Sequence, residues 1–292
     1  MQGMNSLSAN QEIVIVTGAS SGIGQATARE LAQEGFHVLA GVRSTQDAEA
    51  IRTQAIEPVI LDITNREHIQ SLAARFYDGS ESRTVRALVN NAGIGANAPF
   101  EVFPIEEWRR LFEVNFFGHV SITQALLPAL IRSKGRIINV SSVGGKFAMA
   151  TYGPYASTKF ALEAVSDSLR RELAYTGVHV VVIEPGAVRT KIGDRAITTA
   201  KRVASTMTPQ QNQRYGALLQ AVVGQAASAM ESGASPETAA KVLAKAVTVS
   251  KPRTRYAVGR QAALLPLLKV MPDRMVDCVL SAALHPYFPK SS

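Results

Sequence analysis

The chain has 292 residues, a formal net charge of +8, 46% apolar residues and one cysteine, Cys278. A chain of this length can form one large α/β domain with a sizeable buried core. The single cysteine excludes an internal disulfide and favours a reducing compartment, and its apolar surroundings predict a packed thiol. The five histidines are scattered and no residue cluster has the spacing of zinc ligands, so we predict no metal site.

The basic charge is dispersed along the chain and lacks the motifs of nucleic-acid binders. We therefore expect a solvated surface and no nucleic-acid partner, with a field that steers an anionic cofactor as the alternative. Residues 1–10 have neither the charged nor the apolar part of a signal peptide, and they are predicted to form a loose tail. No run of about 18 apolar residues occurs, so we predict no transmembrane segment and a cytoplasmic location.

Strand and helix patterns alternate along the chain, which is typical of a doubly wound parallel α/β sheet. Six parallel strands are predicted from apolar runs at residues 13–17, 36–42, 57–61, 85–90, 135–140 and 178–184. The longest helical patterns cover residues 106–133 and 154–175. Right-handed crossovers predict the strand order 3-2-1-4-5-6 and a ligand crevice at the carboxyl ends of the strands.

The first predicted strand ends in a glycine-rich turn that leads into an alanine-rich helix. Gly18 allows a sharp turn, Gly22 lets backbone N–H groups approach a pyrophosphate, and Gly24 allows close helix packing. Ser20, Ser21 and Ile23 complete this turn. Strand, turn and helix in this order are the context that a dinucleotide-binding fingerprint requires.

The end of the second predicted strand indicates which dinucleotide is bound. An acidic residue there would bind both ribose hydroxyls of NAD, but this chain has Val42 followed by Arg43. A guanidinium can pair with a 2′-phosphate, so NADP(H) is favoured over NAD(H). The alternative is that Arg43 stacks on the adenine.

Tyr155 and Lys159 are spaced four residues apart, which places both side chains on one face of a helix. An ammonium beside a phenol favours the phenolate, so we expect the pKa of Tyr155 to fall towards neutral pH. Such a phenol can act as a general acid or base on a carbonyl or alcohol oxygen. Tyr152 is the competing tyrosine, but only Tyr155 has a lysine one turn further on.

These motifs resemble those of the short-chain dehydrogenase/reductase family, in order, from about Ile13 to about Thr190. The matching residues are Thr17, Gly18, Gly22 and Gly24 in the loop, Asn90, Asn91, Ala92 and Gly93 after the fourth strand, then Asn115, Ser142, Tyr155, Lys159, Pro185, Gly186 and Thr190. The resemblance implies a Rossmann fold with a seventh strand near residues 255–258 and helices on both faces of the sheet. It also implies a homodimer or homotetramer.

The resemblance assigns four catalytic residues. Tyr155 would transfer the proton, and Ser142 would donate a hydrogen bond to the substrate oxygen. Lys159 would hold the nicotinamide ribose and tune the tyrosine, and Asn115 would hold a water that links the lysine to solvent. The implied cofactor contacts also include Asp62, Ile63, Asn91, Ala92, Gly93, Pro185, Gly186, Val188 and Thr190. Asp62 would meet the adenine amino group, or alternatively cap a helix.

The predicted domain covers residues 11–260, with a substrate lid at residues 190–233 and an apolar extension at 261–292. The extension could complete an apolar pocket, form a subunit contact or touch a membrane surface. Pro266 and Pro272 interrupt it, so it is not predicted to span a bilayer.

Within the family, the chain looks most like retinol and 17β-hydroxysteroid dehydrogenases. The resemblance lies in residues 166–173, in residues 183–188 and in the long tail. Those relatives often carry a membrane anchor, and none is recognised here. The resemblance implies an NADP(H)-dependent oxidoreductase that interconverts a secondary alcohol and ketone, or an alcohol and aldehyde, on a bulky substrate such as a steroid or retinoid. The alternatives are a 3-oxoacyl-carrier-protein reductase of lipid synthesis and a nucleotide sensor without catalysis.

Overall fold

A computed structural model describes residues 11–77, 81–259, 262 and 270–289. Within them lies a seven-stranded sheet in the order β3-β2-β1-β4-β5-β6-β7, and every neighbouring pair is parallel. Its strands are β1 (Ile13–Val16), β2 (His37–Val42), β3 (Ile56–Ile60), β4 (Val85–Asn90), β5 (Arg136–Val140), β6 (His179–Pro185) and β7 (Arg255–Val258). The predicted doubly wound sheet, including its seventh strand, is confirmed.

The helices cover both faces of this sheet. They are α1 (Gly22–Gln33), α2 (Thr45–Ile51), α3 (Arg66–Ala74), α4 (Ile105–Phe112), α5 (Gly118–Ser133), α6 (Gly153–Glu172), α7 (Lys191–Thr206), α8 (Pro209–Glu231), α9 (Pro236–Thr248) and α10 (Asp273–Leu284). Apolar side chains of α1 and α9 pack on one face, and those of α3 and α5 pack on the other. Central strands that are buried on both faces explain the continuous apolar runs in the sequence.

The helix predicted over residues 106–133 is divided in the structure. The α4 helix ends at Phe112, a π-helical turn follows at Glu113–Phe117, and α5 begins at Gly118. A π turn inserts an extra residue into each hydrogen-bonded ring and is frequent at functional sites. A search for apolar residues at a period of 3.6 does not detect such an extra residue. The π turn contains Asn115.

The same stretch, Ile105–Ser133, is long and apolar enough to cross a membrane by length and composition, although 44% of its most apolar window is buried in the protein. Ile122, Leu126 and Leu130 of α5 are fully buried against the sheet. A core helix of a globular domain meets the same criterion, and this packing assigns the stretch to the core.

The lid region predicted at residues 190–233 forms α7 and α8. Thr208 begins α8 with a capping box, because its hydroxyl accepts from Gln211 N and the Gln211 side chain accepts from Thr208 N. The two helices are therefore separate elements joined by a short turn.

Part of the C-terminal extension packs on α8, and the predicted tail at residues 1–10 lies outside the described residues, as do residues 263–269. Leu284 of α10 is buried against Ala221 and Val222. Cys278 is exposed on α10, so the prediction of a packed thiol is wrong. Its helix contacts the domain through the opposite side, which sequence composition does not reveal.

Candidate active site

The glycine-rich turn after β1 is packed tightly against the end of β4. Gly18 has a φ of 64°, a region that favours glycine, and a Cβ there would lie 2.8 Å from Ala92 Cα. A Cβ on Gly24 would overlap Asn91 Nδ2 and the Gly18 carbonyl oxygen. Larger residues at Gly18 or Gly24 would therefore push the first turn of α1 away from the sheet.

Thr17 joins these two strand ends through its hydroxyl group. Its Oγ1 accepts hydrogen bonds of 2.9 Å from Asn91 N and 2.9 Å from Ala92 N. Asn91 Nδ2 returns bonds to the carbonyls of Thr17 at 2.9 Å and Gly18 at 3.2 Å. The side chain of Asn91 thus supports the turn, and a hydrogen-bonded frame fixes its shape.

A cavity of about 740 Å³ runs along the carboxyl ends of the strands. The predicted residues that line it are Gly18, Ser20, Ser21, Gly22, Ile23, Gly24, Arg43, Asp62, Ile63, Asn91, Ala92, Gly93, Ser142, Tyr155, Lys159, Pro185, Gly186, Val188 and Thr190. Asn115 is fully buried and is absent from the lining. The structure therefore brings every other predicted site residue to one cavity and places Asn115 behind it.

The lining is rich in positive charge. Its cations are Arg43, Arg109, Arg110, Lys159, Lys191 and Arg195, and its acids are Asp62 and Glu113. The glycine turn and this excess of cations fit the phosphates of a dinucleotide. The dispersed charges of the sequence thus include a group that the fold gathers at one site.

Asp62 follows β3 and makes a local turn. Its Oδ1 accepts from Thr64 N at 2.9 Å and from Thr64 Oγ1 at 2.7 Å. The N-cap of α3 is Asn65, so the alternative that Asp62 caps the helix is wrong. Burial raises the pKa of Asp62, but the bonds from Thr64 and the charges of Arg43 and His68 outweigh it and lower the pKa overall.

The side chains of Ser142, Tyr155 and Lys159 meet where β5 ends. Ser142 caps a short 3₁₀ turn at Val143–Gly145, and its Oγ accepts from Gly144 N at 3.0 Å. Lys159 Nζ donates to the Val140 carbonyl oxygen at 2.9 Å and lies 5.8 Å from the centre of the Tyr155 ring. These bonds fix the lysine against the end of β5.

The pKa of Tyr155 is raised in the structure, whereas a fall was expected. Burial raises the pKa of Tyr155 to about 12, although a hydrogen bond with Ser142 opposes the rise. Burial likewise lowers the pKa of Lys159 to about 8, against the attraction of Glu163. Low polarity disfavours the charged form of each group, and desolvation is the largest effect on both pKa values.

Asn115 connects the π turn to the loop after β4. Its Oδ1 accepts from Ile94 N at 2.8 Å, and its Nδ2 donates to the Ile94 carbonyl at 2.9 Å and to Thr158 Oγ1 at 3.2 Å. A Cβ built on Gly93 would lie 3.4 Å from Asn115 Oδ1 and 4.0 Å from Lys159 Nζ. Asn115 is therefore close to the lysine, separated from it by a residue without a side chain.

Several cavity residues were not predicted from the sequence. They are Asn97, Met149, Tyr152, Ile192, Ala196, Ala226, Ala229 and Met230, among others. The lid residues among them are small or apolar and belong to no motif, so no sequence signal marked them. Tyr152, which the sequence offers only as a competitor for the catalytic tyrosine, lines the cavity one helical turn before Tyr155.

Comparisons with known proteins identify the family of the chain. Residues 12–201 match the short chain dehydrogenase family, and the chain belongs to that family. It is an oxidoreductase acting on CH–OH groups.

Three known proteins are examples of what the chain is similar to. Retinol dehydrogenase 5 of Mus musculus is 35% identical over 291 residues, which cover 96% of this chain and 91% of that protein. An NADPH-dependent 3-dehydrocapnine reductase of Ornithobacterium rhinotracheale is 34% identical, covering 90% of this chain and 94% of its own length. A solved short-chain dehydrogenase from Streptomyces avermitilis aligns with a TM-score of 0.73 and 28% identity, over 94% of this chain and 96% of that one. The predicted resemblance to the retinol dehydrogenase-like subgroup is confirmed.

Replacing Gly24 by alanine should abolish measurable dinucleotide binding. The new Cβ would overlap Asn91 and the Gly18 carbonyl, so the turn or α1 must shift. The affinity is measured by adding NADPH to the protein and following the change in protein fluorescence. Gly153→Ala is the matched control, because its Cβ would meet only Trp108, at 3.9 Å. Unchanged affinity in Gly24→Ala would contradict the tight packing described here.

Proposed function

We propose that the chain is an NADP(H)-dependent oxidoreductase that interconverts a secondary alcohol and ketone, or an alcohol and aldehyde, on a bulky apolar substrate such as a steroid or retinoid. The observation that carries the proposal is the continuity of one cavity. It leads from the glycine turn and Arg43, past Tyr155, to apolar side chains of the lid. A cofactor and a bulky substrate can therefore meet at the tyrosine.

Tyr155 is proposed to transfer the proton. Its raised pKa keeps the phenol protonated at neutral pH, which suits a general acid for carbonyl reduction. Ser142 is held by the hydrogen bond that it accepts from Gly144 N, and its hydroxyl is proposed to donate to the substrate oxygen. The bound nicotinamide supplies or accepts the hydride.

Lys159 and Asn115 are proposed to support the tyrosine. The Lys159 side chain is 4% exposed and can hold ribose hydroxyls while it places a positive charge beside the phenol. Asn115 is proposed to hold a water that links the lysine to solvent. The neighbouring Gly93 leaves room for such a water between Asn115 and Lys159.

Replacing Tyr155 by phenylalanine should reduce turnover by about 10²–10⁴-fold and leave NADPH affinity nearly unchanged, because only the proton-transferring oxygen is lost. Oxidation of NADPH, followed by its near-ultraviolet absorbance with a panel of carbonyl compounds, measures the rate. Tyr152→Phe is the control and should retain proton transfer. A Tyr155→Phe rate above about a tenth of the wild-type rate would exclude the proposed role.

Arg43 is proposed to bind the 2′-phosphate of NADP(H). Its exposed side chain follows β2 at the mouth of the cavity, and Asp62 lies near enough for the two charges to interact. The dehydrocapnine reductase, at 34% identity, is NADPH-dependent, which supports the same preference here.

Arg43→Ala should raise the KM for NADPH about tenfold or more, because a charge-assisted bond to phosphate is lost. The KM for NADH should change little, since NADH lacks that phosphate. Steady-state rates with both cofactors give the comparison. An equal rise for both would assign Arg43 to the adenine instead.

The substrate side of the cavity is proposed to accept a bulky apolar molecule. Met149, Ala226, Ala229 and Met230 supply apolar walls, and the last three belong to α8. The similarity to retinol dehydrogenase 5 supports a substrate of this size and polarity. The C-terminal extension contributes indirectly, because Leu284 and Tyr287 pack in one cluster with Tyr152.

Deleting residues 273–292 should lower kcat/KM for bulky ketones more than for small ones. The deletion removes the support of α8, including the bond from Gln225 Nε2 to the Ala283 carbonyl at 3.0 Å. Met275→Ser, on an exposed position of α10, is the control. Equal losses for both ketone sizes would argue against this role.

Recovery of the intact protein in a washed membrane pellet would instead favour attachment of the C-terminal extension to a membrane surface.

A carrier-protein reductase is the second candidate. Short-chain enzymes of that kind are usually shorter, whereas this chain has α7 and α8 beside the cavity and an extension that packs on α8. Robust turnover of an acyl-carrier thioester would reverse the order of the two proposals. A sensor without catalysis is disfavoured, because Ser142, Tyr155 and Lys159 are all present and meet.

We further propose a cytoplasmic homodimer or homotetramer. Phe117 and Phe160 are 49% and 44% exposed, and a subunit contact would bury them. Light scattering on the purified protein measures the oligomeric state.

A further inference from the structure

A cluster of charged side chains lies beside α6 and contributes nothing to the cavity lining. This charge cluster consists of Lys146, Glu163, Asp167, Glu184 and Arg255. Its side chains are mostly buried; Glu163 is only 6% exposed and Lys146 is 9% exposed. A buried ion pair contributes little net stability, so its placement beside the catalytic helix needs another explanation.

Glu163 is the centre of the cluster. Its Oε2 accepts from Lys146 Nζ, and Arg255 donates to the same atom from Nη2 at 3.1 Å and from Nε at 3.2 Å. Glu184 Oε1 lies 3.4 Å from Lys146 Nζ and 3.2 Å from Arg255 Nε. Arg255 also donates to Asp167 Oδ1 at 2.8 Å. One carboxylate thus joins the turn after Ser142, α6 and β7.

Glu163 lies between two segments that carry catalytic residues, the turn after Ser142 and the α6 helix with Lys159. It follows Lys159 by four residues on α6, and Lys146 follows Ser142 by four residues. The turn and the helix are also in direct contact. A Cβ on Gly145 would lie 3.1 Å from Glu163 Cγ and 3.1 Å from the Lys159 carbonyl oxygen.

We propose that Glu163 is a positioning residue for the reaction, which fixes the Ser142 turn onto α6 and supplies the negative charge that keeps Lys159 an ammonium. The inference rests on the function proposed above. Burial lowers the pKa of Lys159 to about 8, and the attraction of Glu163 opposes that fall.

The other titratable groups described around Lys159 supply no negative charge to it at neutral pH. His119 of α5 is neutral at working pH, because burial and the charge of Lys159 lower its pKa to about 3. Tyr155 carries no charge until alkaline pH, since burial raises its pKa to about 12. Around Glu163, the acids Asp167 and Glu184 share the cations Lys146 and Arg255. Glu163 is the acid whose attraction acts on Lys159.

Glu163→Gln keeps the shape of the side chain and removes its charge. Without the attraction, the pKa of Lys159 should fall below the value of about 8. The alkaline limb of the kcat/KM profile, where the ammonium is lost, should therefore move to lower pH by about half a pH unit or more. Glu163→Asp retains the charge and should restore the limb towards the wild-type position, with a lower kcat because its reach to Lys146 is shorter.

Glu57→Gln is the matched control for a structural effect. Glu57 lies on β3 at the opposite edge of the sheet and also has two side-chain partners, His37 at 2.9 Å and Arg75 at 2.8 Å. Its loss should lower the melting temperature and leave the pH profile unchanged. An alkaline limb of Glu163→Gln that coincides with the wild type would overturn the inference.

A direct titration separates this inference from the proposed function. In protein labelled with ¹³C-lysine, the Lys159 signal is assigned by its loss in Lys159→Met, and its midpoint is measured against pH. A lower midpoint in Glu163→Gln than in wild type supports the inference even if the tested carbonyl compounds are not substrates. An equal midpoint defeats it even if wild-type turnover is robust.

Discussion

The hydrogen-bonded junction between the ends of β1 and β4 is the contact on which the rest of the site depends. Strand order reverses at this point, so the chains leaving the two strands diverge and open a crevice. The Thr17 hydroxyl and the Asn91 amide hold the junction closed beneath the crevice. Because the two strand ends are in contact here, the turn that follows β1 must carry glycine at Gly18 and Gly24.

Much of this fold could be predicted from the sequence because its strands are buried on both faces. Such strands leave continuous β-branched runs, and the right-handed crossover fixes their order. The predicted strand at residues 85–90 coincides with β4, and the predicted strand at 135–140 begins one residue before β5. The division of the long helix at Glu113–Phe117 was missed, because one inserted residue changes the register without changing composition.

The parts of the site that escaped prediction depend on three-dimensional surroundings. The pKa of Tyr155 is set mainly by burial, and burial cannot be read from a four-residue spacing. Asp62 stands before a helix and resembles a cap, yet Asn65 caps α3 instead. Ala226, Ala229 and Met230 of α8 become cavity walls only because α7 and α10 pack against that helix.

Burial disfavours both charges on which the proposed chemistry depends, the phenolate of Tyr155 and the ammonium of Lys159. The protein must therefore stabilise the lysine charge from its own groups. The carbonyl of Val140 accepts from Nζ at 2.9 Å, and Glu163 adds an opposite charge from the next turn of α6. Lys146 and Arg255 pair with the buried carboxylate of Glu163. Ionic contacts consequently link the Ser142 turn, α6 and β7. Through them the carboxylate of Glu163, which lies outside the cavity, favours the ammonium form of Lys159, which lies inside it.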